Sequence, residues 1–226
     1  MQEHRDMPTH HEHRRSWENF YREHKNPWRV NKYYEIEIYI DKGSLILDLC
    51  SGTGNASRPL VEKGYSVVLL DFSMNSLRRS GGGEYARVLG DATALPFRDS
   101  SFDAIIASHA ISHLLEEERR KAVSEIYRVS KENAILVFEA FTTGDFRYGK
   151  GVEIERNTFL RGNGIYTHYF TEDELNSLFK EWHIFEKNIR HVERKIFGSI
   201  YKMETLVFIA KINKNKKVFI HARHYE

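Results

Sequence analysis

The sequence predicts an α/β protein: a mostly parallel, seven-stranded sheet with one antiparallel edge strand and helices on both faces. Three observations carry this expectation. Five short runs rich in Val, Ile and Leu are nearly continuously apolar, as strands covered on both faces are: LILDLC (45–50), SVVLLD (66–71), YARVLGD (85–91), FDAIIAS (102–108) and AILVFEA (134–140). Helical patterns separate them at 57–63, 75–79 and, longer, 115–129. Two longer strand candidates, around 183–196 and 203–212, are joined by a short connection containing Gly198. Strands so close in sequence pair antiparallel, because a parallel return needs a crossover.

The remaining elements follow in chain order. Residues 1–15 are polar and rich in histidine, and are expected to be mobile or loosely docked. An amphipathic helix then carries Trp17, Phe20 and Tyr21 on one face and ends before Pro27. Segment 142–167 has no clear period and interrupts the alternation; an insertion of that length suits a substrate-facing lid. Thr171 and the acids after it open a helix to about Trp182. The domain reading is a tail and lid helix (1–40), one α/β domain (41–213) holding the insertion 142–167, and a basic C-terminal tail (214–226).

Composition bounds the function classes. The chain has 226 residues, 41% hydrophobic and 13% aromatic, enough to bury a substantial core. A net charge of +2 gives no global field for nucleic acid. Cys50 is the one cysteine, so no internal disulfide forms. No apolar run reaches membrane-spanning length and the first residues do not resemble a signal peptide, so the expectation is a soluble, cytoplasmic protein.

The stretch LILDLCSGTGNAS (45–57) runs from a strand into a glycine turn. In an open α/β sheet the ligand crevice lies beyond the carboxyl ends of the strands, where Gly52 and Gly54 stand. A tight corner without a ligand, a dinucleotide site and a methyl-donor site are all compatible with the turn alone. Three acids decide between them. Asp48 lies inside the first strand, where a lone carboxylate is costly and a cationic group such as an α-amino group would offset the cost. Asp71 ends the second strand and suits a ribose diol. Asp91 follows the third and suits an exocyclic adenine amine, with Phe72 available to stack on the ring. Amino acid, ribose and adenine together describe S-adenosylmethionine, whereas a pyrophosphate would be repelled by Asp48.

DLCSGTG, LLDFS, GDATALPFRDSSFDAIIASHAISHL and EIYRVSKENAILVFEAF, taken in order over about 45–141, resemble the successive motifs of class I S-adenosylmethionine-dependent methyltransferases (type 11-like). The resemblance implies a Rossmann-like fold and donor contacts from Asp48, Cys50, Ser51, Gly52 and Gly54. It also implies contacts from Asp71, Phe72, Asp91, Ala92 and Ser108, with S-adenosylhomocysteine as product and no metal. NPWRVNKYYEI, ISHLLEEERRKAVSEIYRVS and YTHYFTEDEL resemble the tRNA wobble-uridine carboxymethyl methyltransferases, which implies a tRNA acceptor and, for some members, a small zinc-binding activator. The sequence departs from these families in three places. Cys50 replaces the first loop glycine, and an ordinary φ is expected there. Glu132-Asn133 replaces a glycine pair. The arginine ahead of Pro-Trp is missing, with His24 and Lys25 nearby.

Methyl transfer is an in-line displacement on an activated carbon, so positioning and exclusion of water are the main tasks. A carboxylate acceptor needs no base, whereas a hydroxyl or amine would use His109 or His113, which also read as structural residues. No Asp/Asn-Pro-Pro-Tyr follows the fourth strand, which disfavours methylation of a base amine. Trp17, Tyr21, Trp28, Tyr33 and Tyr34 read as a lid or as packing. Arg147, Arg156, Arg161, Tyr166, His168 and Tyr169 suit an anionic or single-stranded acceptor, and Arg119, Arg120 and Lys121 extend a basic strip; ordinary surface charge explains both sets as well. His10, His11 and His13 lack the matched acids or cysteines of a metal site. A tRNA acceptor is the expectation, with a small-molecule acceptor as the alternative and a non-catalytic, cofactor-binding subunit as the third reading.

Overall fold

A computed structural model of the protein describes residues 9–24, 34–81, 83–196 and 198–214. Trp28, Tyr33, the first eight residues and the tail from 215 lie outside the described residues.

Helix α1 (His10–Glu23) is followed by a 3-10 turn (Ile36–Ile38), and the sheet then builds from β1 (Leu45–Leu49), β2 (Ser66–Asp71), β3 (Tyr85–Leu89), β4 (Phe102–Ser108) and β5 (Ser130–Phe141). Helices α2 (Arg58–Glu62), α3 (Met74–Arg78) and α4 (Glu116–Val129) connect these strands. The chain ends with β6 (Val152–Glu155), β7 (Thr158–Leu160), β8 (Tyr166–His168), α5 (Glu172–Leu178), β9 (Trp182–Ile196) and β10 (Ser199–Ile212). The large sheet has the order β3-β2-β1-β4-β5-β10-β9. Strands β1 to β5 pair in parallel, and β10 runs antiparallel to both β5 and β9. This is the mixed seven-stranded sheet expected from the sequence.

Alternation along each strand divides the core into two layers. Leu47, Leu49, Leu70, Ile105, Leu136, Phe138 and Phe208 face α4 and α5, where Ala122, Ile126, Val129, Leu175 and Phe179 cover them. Ile46, Leu69, Ala104, Ile106, Val137 and Val207 face the other way, under Leu60 of α2, Leu77 of α3, Tyr34 and Ile36. Both faces are therefore dry, which explains the continuous apolar runs. No helix among the described residues is long and apolar enough to cross a membrane.

Three expectations are corrected here. The histidine-rich start is not loose from residue 9 onward: Thr9 and Glu12 form a reciprocal capping box, and α1 begins at His10. The insertion is not irregular, because β6, β7 and β8 form a separate antiparallel sheet. Its strands have three or four residues, too few to show a period of two. The turn at Cys50 does not keep an ordinary φ; it sits at +51°, in the left-handed region. Asn133, in place of a family glycine, also takes a positive φ of 65°, which asparagine tolerates well.

Candidate active site

Strands β1, β2 and β4 deliver their carboxyl ends to one side of the sheet, around a cavity of about 350 Å³. Its walls are the β1 turn, the residues after β2, β3 and β4, α1, and the insertion. Asp48, Cys50, Ser51, Gly52, Asp71, Phe72, Asp91, Ala92 and Ser108 all line it; Gly54 does not. Gly54 instead turns the chain at φ +72°, with Leu69 so near that a Cβ would stand 3.1 Å from it.

At Gly52 the backbone is open to the cavity by necessity. Its φ is +56°, and a Cβ there would lie 2.6 Å from the Tyr21 hydroxyl. Its N–H donates to Asp71 Oδ2 at 2.8 Å, and the Ser73 N–H donates to Oδ1 at 2.8 Å. Burial nevertheless pushes the Asp71 carboxyl up to about 6, against the pull of those two N–H groups. Asp48 is more isolated: Ser57 donates one hydrogen bond of 2.6 Å, and burial pushes the acid up to about 7. Burial likewise raises the Cys50 thiol, so the sulfur is no thiolate nucleophile.

These observations test whether an adenosyl-sulfonium donor fits. Among the described residues, Ser51 Oγ and Thr53 Oγ1 are buried in the loop with no hydrogen-bond partner, and two buried acids stand without a cation. A ligand with hydroxyl donors and a positive group supplies what both lack. The residues fit the group. Asp91 differs from expectation, since Thr93 binds its Oδ1 through N–H and hydroxyl and His10 binds its Oδ2 at 2.8 Å.

Helix α1 closes the end of the cavity that holds the strand-end acids. Glu18 accepts from the Ser73 hydroxyl and from the Asn75 N–H at 3.2 Å, and Arg79 donates to the carbonyls of Arg22 and His24. Trp17, Phe20 and Tyr21 thereby reach the cavity wall. His10 and His13 line it too, and neither was expected in the site. His10 places both ring nitrogens on carboxylates, Asp91 at 2.8 Å and Glu118 at 2.7 Å, an arrangement only the imidazolium satisfies. Burial pulls its pKa down, and the two acids outweigh burial and raise it. His13 stacks on Tyr166 at 3.7 Å and is held neutral, down to about 3, by burial and by its neighbouring histidines. No group of three His, Cys, Asp or Glu residues stands together as a metal site among the described residues.

Beyond the strand-end acids lie His109, His113, Phe141, Arg147, Arg161, Thr167, Tyr169 and Met203. His109 turns at φ +57°, stacks on Phe141 at 4.0 Å and comes within 3.7 Å of Glu139. His113 bonds the Tyr166 carbonyl through Nδ1 at 2.9 Å, which puts the proton on Nδ1 and leaves Nε2 as the acceptor. Burial lowers its pKa to about 4.

Six of the nine expected acceptor residues stand elsewhere. Tyr166 is buried behind the wall, with its hydroxyl on Glu118. His168 is held between Thr158 and Glu174, each at 2.8 Å. Arg119 is 3% exposed and pairs with Glu155 and Glu174, so it belongs to the interior and not to a basic strip. Arg120 is exposed and paired with Glu116, and Lys121 with Glu117. Each cation follows an acid by four residues on α4, a spacing that favours intrahelical pairs. Arg156 is exposed outside the cavity. Of the expected acceptor set, Arg147, Arg161 and Tyr169 line the wall.

Glu139 of β5 is the buried acid missed in the sequence. It accepts from Tyr34, from Ser108 at 2.9 Å and from Thr205 at 3.1 Å, beneath the His109 turn. Its signal was the one that singled out Asp48: an acid inside an apolar strand.

Residues 47–138 match the methyltransferase domain family. The match runs from β1 into β5, the part of the sheet that carries the strand-end acids. A crystal structure of a SAM-dependent methyltransferase from Methanosarcina mazei is similar at 27% identity and TM-score 0.69, over 81% of this chain and 99% of that one. The 1,6-didemethyltoxoflavin N1-methyltransferase of Burkholderia thailandensis, crystallised with S-adenosylhomocysteine, shares the fold at TM-score 0.68 and 16% identity, over 92% of each chain. Among curated proteins, the demethylmenaquinone methyltransferase of Renibacterium salmoninarum is 40% identical over 110 residues, 46% of each chain. That of Thermobifida fusca is 35% identical over 122 residues, 51% of this chain and 50% of its own. The chain thus spans about half the length of these curated relatives. Their names do not include tRNA wobble-uridine enzymes, so the finer resemblance read from the sequence gains no support from them.

Proposed function

We propose that this protein transfers a methyl group from S-adenosylmethionine to a small-molecule acceptor. The observation that carries this reading is the cavity. The donor residues at the strand ends and an apolar, arginine-bearing chamber share one space, closed by α1 and the insertion. The donor supplies an activated methyl carbon. Asp71 receives the ribose hydroxyls, Asp48 balances the amino-acid cation, and the aromatic wall of α1 excludes water. His113, neutral with Nε2 as acceptor, takes the proton if the acceptor is a hydroxyl or amine. His109, stacked on Phe141, orients the acceptor ring.

Two observations favour a small molecule over tRNA. The curated relatives are named for demethylmenaquinone, a small molecule. The basic strip that would have followed a phosphate backbone is taken up by ion pairs, with Arg119 buried. The test incubates the purified protein with methyl-tritiated donor and a cell extract separated into RNA and low-molecular-weight fractions. Label is expected in the small molecules. Label confined to tRNA would overturn the proposal.

A further inference from the structure

Arg161 is a cation in search of a counter-charge. It stands on the cavity wall, half-buried, at the start of a tight turn closed by its own N–H on the Ile165 carbonyl at 3.1 Å. One amino group donates to the Tyr169 hydroxyl at 2.9 Å, and Nε is buried with no hydrogen-bond partner among the described residues. Among the described residues no carboxylate pairs with it. The contrast with Arg147 is instructive. Arg147 lies on the same wall, but Asp145 holds it through two bonds of 2.7 and 2.8 Å and it stacks over Phe141 at 4.2 Å. The cavity's acids, Asp48, Asp71 and Asp91, all stand at the strand ends and belong to the donor side. A partly buried guanidinium without an anion bears a desolvation cost that an anionic ligand removes.

Resting on the methyltransferase reading, we propose that the acceptor is an organic anion: a flat apolar body bearing a carboxylate or an equivalent oxyanion, held by Arg161. The apolar body meets the stacked pair His109–Phe141, whose rings lie 4.0 Å apart, with Trp17 and Met203 also on the wall. Tyr169 fixes the guanidinium from behind. His13 and His113 do not compete for the anion, because burial keeps both neutral. The assignment selects acceptors by charge, and does so at a point separate from the donor carboxylates.

The experiment titrates benzoate and its neutral isostere benzamide into the wild type, Arg161→Gln and Arg161→Lys, each with and without S-adenosylhomocysteine. Benzoate should bind the wild type at least about tenfold more tightly than benzamide, as a charge-assisted pair requires. The preference should vanish in Arg161→Gln and persist in part in Arg161→Lys, with S-adenosylhomocysteine affinity within about threefold throughout. Equal binding of the two probes, or no binding of either, would overturn the assignment. So would a preference that survives Arg161→Gln, or a collapse of S-adenosylhomocysteine binding in that variant, which would put Arg161 on the donor's own carboxylate. Failure of S-adenosylhomocysteine to bind the wild type would instead strike at the donor reading, and the probe comparison without it still decides the anion site.

Discussion

Replacing Asp48 by asparagine separates what the fold wants from what the site wants. The carboxyl is 2% exposed, the Ser57 hydroxyl donates to it, and burial raises it from an ordinary 3.8 to about 7, with Asp71 adding to the rise. The sign follows from proton binding. Between about 4 and 7 the folded chain holds a proton on Asp48 that the unfolded chain has released, so stability falls as pH rises through that window. Below it the acid is neutral in both states and the cost disappears. Above it the full cost applies, at most roughly 4 kcal/mol at 1.4 kcal/mol per tenfold. Asparagine has nearly the same shape and its carbonyl accepts the Ser57 bond, but it carries no charge. Urea unfolding of the donor-free protein should therefore give similar stabilities at pH 4 for wild type and Asp48→Asn. At pH 8 the variant should be the more stable by up to that amount. The same variant should bind S-adenosylmethionine more weakly, because the amino-acid cation loses its partner. A stability difference independent of pH, or a wild type that gains on the variant as pH rises, would refute the reasoning.

Cys50→Gly should raise stability by about 1 kcal/mol in thermal or urea unfolding, since a residue with a Cβ is strained at φ +51° and glycine is not. Arg119→Ala should lower it by about 1–3 kcal/mol, because losing the buried guanidinium removes the cation beside Glu155 and Glu174 and the donor to the Leu114 carbonyl. Arg120→Ala, on the exposed side of the same helix, should change it by less than about 0.5 kcal/mol.

The sheet and the cavity-lining acids at its strand ends were legible because their physics is local. An apolar run of six residues declares a buried strand, and an acid inside or at the end of one marks a place where the sheet opens: Asp48 and Asp71 both reach the cavity. Glu139 carried the same signal and was passed over. The acceptor side was less legible because its chemistry depends on which face a side chain takes. Arg119 and Arg120 are neighbours in sequence, yet α4 turns one into the interior and the other to solvent. Tyr166, His168 and Tyr169 lie on or beside β8, and only Tyr169 emerges on the wall. Such three-residue strands are fixed by tertiary pairing, which a sequence period cannot report. His10 was missed because its partners, Asp91 and Glu118, are 81 and 108 residues away.

We propose that the buried carboxylate ending β2, Asp71, receives the ribose of S-adenosylmethionine. Titration calorimetry of S-adenosylhomocysteine into wild type and Asp71→Ala tests it most directly. Binding to the wild type and a loss of about 1.5–3 kcal/mol in the variant, the range for hydrogen bonds to a charged group, is the predicted result. Equal affinity in a folded Asp71→Ala variant, or binding of NAD in place of the methyl donor, would contradict it.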